Sequence, residues 1–212
     1  MSDKVYNIAL IGCGRMGEAH LENIYDSERI NILYVCDLHK EAAKSFARRY
    51  NSTYISSDWN AVVCDKNVDI VIIATPPASH LEILEECIKN GKHVLCEKPI
   101  ACNYEEGEKF VSLVKQHPEC KVLVGHILRH NKTYQKAAEM IQSGAIGFPI
   151  LMRMAQNHHT MDWKRYLNLI CETSPIIDCG VHYIDVMRWF TGEEVKEVTG
   201  IGIKTEADVP DG

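Results

Sequence analysis

The sequence predicts an α/β fold with a parallel sheet in its first 125 or so residues. Short runs rich in β-branched residues alternate there with stretches of helical periodicity, which is typical of parallel strands joined by helices. The runs are almost continuously apolar, as expected for strands that are covered on both faces. The six predicted strands are Val5–Ile11, Ile30–Cys36, Thr53–Ile55, Asp69–Ala74, His93–Cys96 and Lys121–Gly125.

Four helices are predicted between these strands. In the third helix, Leu81, Leu84 and Ile88 form one apolar stripe, and Asn90-Gly91 supplies a C-terminal cap. Asp58 is a candidate N-cap for a further, short helical segment. The four predicted helices are Arg15–Tyr25, Lys40–Tyr50, Ser79–Asn90 and Tyr104–Gln116.

The pattern changes after Gly125, so we place a domain boundary near residues 125 to 130. Beyond it, Lys132–Ser143 and Gly180–Phe190 have helical periodicity. Phe148–Asn157 and Val195–Lys204 are predicted to be strands.

The composition excludes several classes of protein. A net charge of -6 argues against a nucleic-acid partner, which would require a basic face. No apolar run approaches the roughly 20 residues of a membrane-spanning helix, and the N-terminus lacks the layout of a signal peptide. The nine cysteines show no C-x-x-C spacing and are interpreted as reduced thiols of a cytoplasmic protein.

A glycine motif follows the first predicted strand and opens the first helix. Gly12 permits a tight turn, Gly14 lets the backbone approach a pyrophosphate, and Gly17 allows the helix to pack closely on the sheet. The N–H groups and positive dipole of the helix N-terminus suit phosphates. Arg15 and Met16 complete this candidate dinucleotide-binding loop.

An acidic residue at the end of the second strand indicates which dinucleotide is bound. The carboxylate of Asp37 can accept hydrogen bonds from a ribose diol and would repel a 2′-phosphate. Leu38 offers no compensating positive charge, although His39 and Lys40 are near in sequence. NAD is therefore predicted, with NADP disfavoured but left open. A methyltransferase also places an acidic residue after its second strand, and the next motifs argue against that class.

Two further motifs follow the next strands. A T-P-x-x-x-H loop follows the strand DIVIIA, and a Glu-Lys-Pro turn follows the strand HVL. Together with the glycine motif they resemble the glucose–fructose oxidoreductase / inositol dehydrogenase / MocA family. The resemblance implies that these two motifs contribute cofactor-binding residues. They are Thr75, Pro76, His80, Glu97 and Lys98.

The Glu-Lys-Pro turn also carries candidate chemistry. Because the carboxyl ends of parallel strands face the ligand crevice, Lys98 should point toward the nicotinamide end. Its ammonium can hydrogen-bond a substrate hydroxyl and stabilise a developing oxyanion. In the family the peptide bond before the residue equivalent to Pro99 is often cis, which would aim Lys98 inward. A Lys-Pro surface turn is the alternative interpretation.

The second half contains a segment that resembles the family's D-x-G-x-H-x-x-D pattern. The resemblance implies that Asp178 and His182 share the active site with Lys98. The positive end of the helix dipole disfavours imidazolium at His182 and so favours a neutral ring that can act as a base. Asp185 lies one turn later and can either orient that ring or cap the wall between the domains.

Other polar residues do not decide the function. His158-His159 and Asp162 suggest a metal site, but adjacent strand residues point to opposite faces, so no metal is predicted and substrate contacts are favoured. Trp163–Tyr166 either line a sugar pocket or form a surface loop. Arg129-His130 departs from the family's pattern of an arginine followed by an aromatic residue, which leaves the substrate undetermined.

The resemblance implies a Rossmann, doubly wound parallel sheet over residues 1–125 and an incomplete α+β substrate and dimerisation domain over residues 126–212. Family members are longer, so the chain is either a fragment or a natural truncation. The implied function is an NAD-dependent oxidoreductase that transfers a hydride between a sugar, polyol or related hydroxy compound and the nicotinamide, with a homo-oligomer expected at full length. The alternatives are an NAD-using glycoside hydrolase and a non-catalytic dinucleotide-binding remnant.

Overall fold

Six strands form one sheet in the first part of the chain. A computed structural model describes residues 4–156, 173–174 and 176–202, and it divides into two units, Met1–Gly125 and His126–Gly212. The strands of the first unit are β1 (Tyr6–Ile11), β2 (Ile30–Cys36), β3 (Tyr54–Ser56), β4 (Ile70–Ile73), β5 (His93–Cys96) and β6 (Val122–Val124).

The strand order is β3-β2-β1-β4-β5-β6, and every pair of neighbouring strands is parallel. The order reverses between β1 and β4, the point at which ligands bind in open α/β sheets. The six strands predicted for the first 125 residues are confirmed, with ends that differ by at most one residue.

Helices connect these strands and cover the sheet. Asp58 caps the third helix as predicted, because its Oδ1 accepts hydrogen bonds from the N–H groups of Asn60 and Ala61. Asn90 and Gly91, with φ +66°, end the fourth helix, as the sequence also predicts. The helices of the first unit are α1 (Arg15–Ile24), α2 (Lys40–Tyr50), α3 (Trp59–Cys64), α4 (His80–Lys89) and α5 (Tyr104–Gln116).

The alternation of side chains along the central strands produces two apolar layers. Ile8 and Leu10 of β1 belong to a cluster that includes residues of α1 and α2. Ala9 and Ile11 belong to a second cluster, which includes residues of α3, α4 and α5. Because successive strand residues point to opposite faces, the sheet is covered on both sides. The predicted doubly wound Rossmann architecture is thus confirmed.

The described residues of the second unit are helical or irregular. They form α6 (Lys132–Gln142) and α7 (Val181–Thr191), a 3₁₀ turn at Ile127–His130 and a π-helical turn at Ile176–Gly180. In the part of the chain that the structure describes, no helix has both the length and the apolar character needed to cross a membrane.

Two predicted strands of the second unit were wrong over their described residues. Neither 148–156 nor 195–202 is a strand, and neither segment pairs with another. The apolar side chains of these segments include Ile150, Leu151 and Ile201, which are 99%, 87% and 94% exposed. A strand requires a neighbour for its backbone N–H and C=O groups, and an apolar pattern alone does not supply one.

Candidate functional site

The glycine loop between β1 and α1 is tightly packed at two glycines and open at the third. Gly12 has φ +98°, and a Cβ there would lie 2.5 Å from the carbonyl oxygen of Ala74. A Cβ at the buried Gly17 would collide with the carbonyl oxygen of Gly12. At Gly14, by contrast, a Cβ would meet nothing within 4 Å. The loop therefore combines close backbone packing with an accessible surface at Gly14.

The N-terminus of α1 opens at this accessible surface. Gly14 is the N-cap and, because it has no side chain, it leaves the first N–H groups of the helix without a capping hydrogen bond. Arg15 is exposed and Met16 is half-buried in the first turn. A helix N-terminus whose N–H groups are not covered by a capping side chain suits a phosphate. The loop thus fits the pyrophosphate of a dinucleotide.

Asp37 joins this loop to the end of β2. Its Oδ2 accepts a hydrogen bond of 2.8 Å from the N–H of Cys13, and its Oδ1 accepts one of 2.8 Å from the N–H of His39. Since each carboxylate oxygen has two lone pairs, both oxygens retain capacity for a ribose diol. Leu38 is 82% exposed and brings no charge to this position. The carboxylate is therefore fixed in place by the backbone of the glycine loop and of the residues that follow β2.

The loop after β4 is held by a buried histidine. His80 is fully buried, and its Nε2 lies 2.8 Å from the carbonyl oxygen of Thr75. Its Nδ1 lies 3.0 Å from the carbonyl oxygen of Pro99. Burial lowers the pKa of His80 despite these two contacts. The sequence placed His80 among the cofactor contacts, whereas both ring nitrogens contact backbone carbonyl groups.

The same loop carries the other predicted residues. Thr75 is half-buried, and its Oγ1 accepts a hydrogen bond of 2.7 Å from the hydroxyl of Ser79. Pro76 is exposed and precedes a short 3₁₀ turn. His80 therefore fixes a loop whose other two candidate residues lie nearer the surface.

The Glu-Lys-Pro turn after β5 is built around a buried carboxylate. Glu97 is 4% exposed, and its Oε1 lies 2.6 Å from Nε2 of His20 on α1. Its Oε2 accepts a hydrogen bond of 3.2 Å from the N–H of Lys98. A Cβ at Gly125 would lie 2.9 Å from Oε1. The peptide bond between Lys98 and Pro99 is cis, as the family resemblance implies.

The other two predicted catalytic residues belong to the second unit. Asp178 lies in the π-helical turn Ile176–Gly180, and His182 is the second residue of α7. Both side chains are half-buried. His182 follows the π-helical turn directly and lies in the first turn of α7.

Asp185 has a partner that the sequence did not predict. The carboxylate of this 7% exposed residue accepts hydrogen bonds from Nε and Nη2 of Arg129, at 2.8 and 2.9 Å. This ion pair raises the pKa of Arg129. The guanidinium also lies over the ring of Trp189, 5.5 Å from its centroid. Asp185 therefore anchors α7 to Arg129, a contact that differs from both roles considered for it from the sequence.

Sequence reasoning missed two of these partners, His20 and Arg129. His20 follows Gly17 by one helical turn, so its side chain lies on the same side of α1, and this spacing was a usable signal. Arg129 was noted only as a departure from the family pattern. The polar residues His158, His159, Asp162 and Trp163–Tyr166 lie outside the described residues. Among the residues that are described, no group of three or more candidate ligands could hold a metal.

Comparisons with known proteins agree with these motifs. Residues 6–126 match an oxidoreductase family model described as an NAD-binding Rossmann fold, and residues 134–211 match the C-terminal domain of the GFO/IDH/MocA proteins. The chain is 31% identical to an inositol 2-dehydrogenase of Rubrobacter xylanophilus over 202 residues. The matched region covers 93% of this chain and 56% of that protein.

Two further relatives agree with this match. An uncharacterized oxidoreductase of Bacillus subtilis, YrbE, is 28% identical over 91% of this chain and 56% of its own length. The structure of scyllo-inositol dehydrogenase from Lactobacillus casei with bound NAD(H) and scyllo-inositol is similar with a TM-score of 0.81. The two sequences are 26% identical, and the superposed region covers 90% of this chain and 57% of the dehydrogenase chain.

The chain spans little more than half the length of these relatives. Its first unit nevertheless contains the family's glycine loop, acidic strand end and Glu-Lys-Pro turn in one parallel sheet. The chain belongs to the GFO/IDH/MocA oxidoreductase family, with the NAD-binding Rossmann fold in its N-terminal part.

Proposed function

We propose that this chain binds NAD and uses it to oxidise a hydroxyl group of a sugar or polyol. The observation that carries the proposal is the register of the central strands. Ile11 pairs with Ile73, and Ile73 pairs with Cys96, so the glycine loop, the Thr75 loop and the Lys98 turn all leave the sheet at the same edge. A lysine therefore stands at the edge where the dinucleotide loop opens.

The proposed nucleotide contacts follow from that geometry. The loop Gly12–Gly17 receives the pyrophosphate, with Arg15 and Met16 on its accessible side. Asp37 accepts hydrogen bonds from the adenosine ribose and disfavours a 2′-phosphate. The Thr75–Pro76 segment and the turn at Glu97 and Lys98 face the nicotinamide half. His80 supports the binding of the nicotinamide half indirectly, because it holds the backbone at Thr75 and at Pro99.

The proposed chemistry assigns one role to each remaining residue. NAD, when bound, accepts the hydride that leaves the substrate carbon. The ammonium of Lys98 stabilises negative charge on the substrate oxygen. His182 accepts the hydroxyl proton, and Asp178 contributes to the hydrogen-bond network of that step. These roles of Asp178 and His182 rest on the D-x-G-x-H-x-x-D pattern and on the place of His182 in the first turn of α7.

A cyclic polyol is the substrate that we propose to test first. The relatives named as inositol 2-dehydrogenases support this choice, as does the neighbour whose structure contains scyllo-inositol. Because the chain spans only part of their length, activity, substrate and assembly are all proposals for this protein. A homo-oligomer and a cytoplasmic location stay predictions of the sequence.

The test compares two lysine variants of the 212-residue chain. Formation of NADH is followed with a panel of inositol isomers and sugars, and NADH affinity is measured by calorimetry. Lys98→Met should abolish turnover and leave the dissociation constant for NADH within about threefold of the wild type. The exposed Lys115 on α5 provides the control, and Lys115→Met should retain full turnover.

Two outcomes would contradict the proposal. Unchanged turnover in Lys98→Met would remove the role given to that lysine. Tight NADH binding without turnover on the whole panel would favour a non-catalytic dinucleotide-binding protein.

A further inference from the structure

The carboxylate of Glu97 is buried, and few groups compensate its charge. Its side chain is 5% exposed, whereas that of His20 is 19% exposed. A buried carboxylate costs considerable free energy unless it is paired and hydrogen-bonded. The contacts described here are Nε2 of His20, at 2.6 Å, and the N–H of Lys98, at 3.2 Å. His20 is therefore the side chain that holds this carboxylate in place.

The other end of the same turn is fixed independently. The carbonyl oxygen of Pro99 lies 3.0 Å from Nδ1 of the fully buried His80. Nε2 of His80 lies 2.8 Å from the carbonyl oxygen of Thr75, so that end is tied to the loop after β4. With the Pro99 end held, the hydrogen bond from the N–H of Lys98 to Oε2 of Glu97 links the backbone of Lys98 to the position of that carboxylate.

Gly125 limits the movement of Glu97 on a third side. A Cβ at this glycine would lie 2.9 Å from Oε1 and 3.1 Å from Oε2 of Glu97, so the carboxylate packs directly against the end of β6. The carboxylate thus lies between α1 and β6 and accepts a hydrogen bond from the residue that follows it. His20 is therefore the polar side chain that sets the orientation of the Glu97 carboxylate.

A buried contact of this kind is weak evidence of a stabilising role. Replacing a buried ion pair by well-packed apolar residues is often neutral or stabilising, whereas removing one partner is strongly destabilising. We propose that His20 is a positioning residue for Lys98, acting through its contact with the carboxylate of Glu97. This inference rests on the proposed function, in which Lys98 acts on the substrate oxygen. It adds a residue on the dinucleotide-binding helix to the apparatus that aims the lysine.

Two substitutions at His20 separate positioning from general stability. In His20→Gln the amide Nε2 replaces the ring Nε2 as a donor to Glu97, whereas His20→Leu removes the donor at similar volume. The control is His117→Leu, because His117 contacts the 65% exposed carboxylate of Glu119. Thermal unfolding of each variant identifies those that fold.

The first readout needs no nucleotide. The rate at which acetic anhydride acetylates Lys98, relative to Lys115, is measured by mass spectrometry. His20→Leu should change this ratio by about threefold or more, because the lysine is redirected, whereas His20→Gln and His117→Leu should leave it within about twofold. An unchanged ratio in a folded His20→Leu chain would overturn the inference. A change in His20→Gln as large as that in His20→Leu would also overturn it.

The second readout separates this inference from the proposed function. With a polyol and NAD, His20→Leu should lower kcat about tenfold or more and change NADH affinity by less than about threefold, with rescue in His20→Gln. If the wild-type chain shows no turnover, the proposed function fails, and the acetylation ratio still decides the role of His20. If Lys98→Met abolishes turnover and His20→Leu does not lower it, the inference alone fails.

Discussion

The two units of the chain differ in how completely they bury their apolar residues. The first unit contains the six-stranded sheet and both apolar clusters. Among the buried apolar residues of the described chain, only Ala138 and Val186 belong to the second unit. That unit instead exposes Ile146, Phe148 and Ile150 in one short stretch.

This difference shows that an apolar pattern is not sufficient for a strand. In the first unit every predicted strand lies beside another, so its backbone groups are paired and its side chains are covered. In the second unit, residues 148–156 have a comparable apolar content but no paired neighbour among the described residues. Pairing, which depends on distant parts of a chain, decides the outcome.

The largest expected effect compares one leucine from each unit. Leu84 on α4 is fully buried, and Leu84→Ala should cost about 2–5 kcal/mol of unfolding free energy. Leu151 is 87% exposed, and Leu151→Ala should cost less than about 0.5 kcal/mol. Urea unfolding measures both. If Leu151→Ala costs as much as Leu84→Ala, the exposed segment is covered in solution and the comparison fails.

A pair of glycines sharpens the account of the first unit. Gly12→Ala should destabilise the chain by about 1–3 kcal/mol and abolish NADH binding, because of the positive φ and the close carbonyl oxygen of Ala74. Gly107→Ala in α5 should be stabilising by about 0.5–1 kcal/mol, since a Cβ there has open space. Calorimetric titration and urea unfolding test both variants. Normal NADH binding by Gly12→Ala would show that this loop does not bind the pyrophosphate.

Two arginines provide the corresponding test within the second unit. Arg129→Met leaves the carboxylate of Asp185, whose side chain is 8% exposed, without its bidentate partner and should cost about 1–2 kcal/mol. Arg188 pairs with Glu194, whose side chain is 77% exposed, and Arg188→Met should cost less than about 0.5 kcal/mol. Equal effects in urea unfolding would mean that Arg129 does not anchor α7.

The smallest expected effect is a pH dependence that originates in the first unit. Burial lowers the pKa of His80, so the unfolded chain binds a proton at higher pH than the folded chain does. The contribution of the neutral His80 ring to the free energy of unfolding is complete above the usual histidine pKa of about 6.5. It is lost as the pH falls toward the lower pKa that His80 has in the folded chain. His80→Gln should therefore lose less stability than the wild type between about pH 7.5 and about pH 5.5. Equal losses in urea unfolding would contradict this assignment.

Local patterns were enough to predict much of the fold. Apolar runs, helical periodicity and the Asp58 cap are properties of neighbouring residues, and the structure confirms the elements that they predict in the first unit. The family motifs likewise lie on contiguous segments, so the glycine loop and the cis peptide before Pro99 were expected from the resemblance.

Partners that come from distant segments were not predictable in the same way. His20 and Glu97 are separated by 77 positions, and Arg129 and Asp185 by 56. The Gly17–His20 spacing shows which side of α1 His20 lies on, but a single sequence contains no signal that pairs either residue with its partner. The pairing arises from the packing of α1 on the sheet and of α7 beside the 3₁₀ turn. The backbone contacts of His80 were missed for the same reason, although the residue itself was identified.

The central claim, that the first unit is an NAD site set by the glycine loop and Asp37, is tested most directly by one titration. The 212-residue chain is titrated with NADH and with NADPH by calorimetry at physiological salt. We expect NADH to bind at least about tenfold more tightly than NADPH, since the carboxylate of Asp37 opposes a 2′-phosphate. A preference for NADPH, or binding of neither nucleotide, would contradict the account.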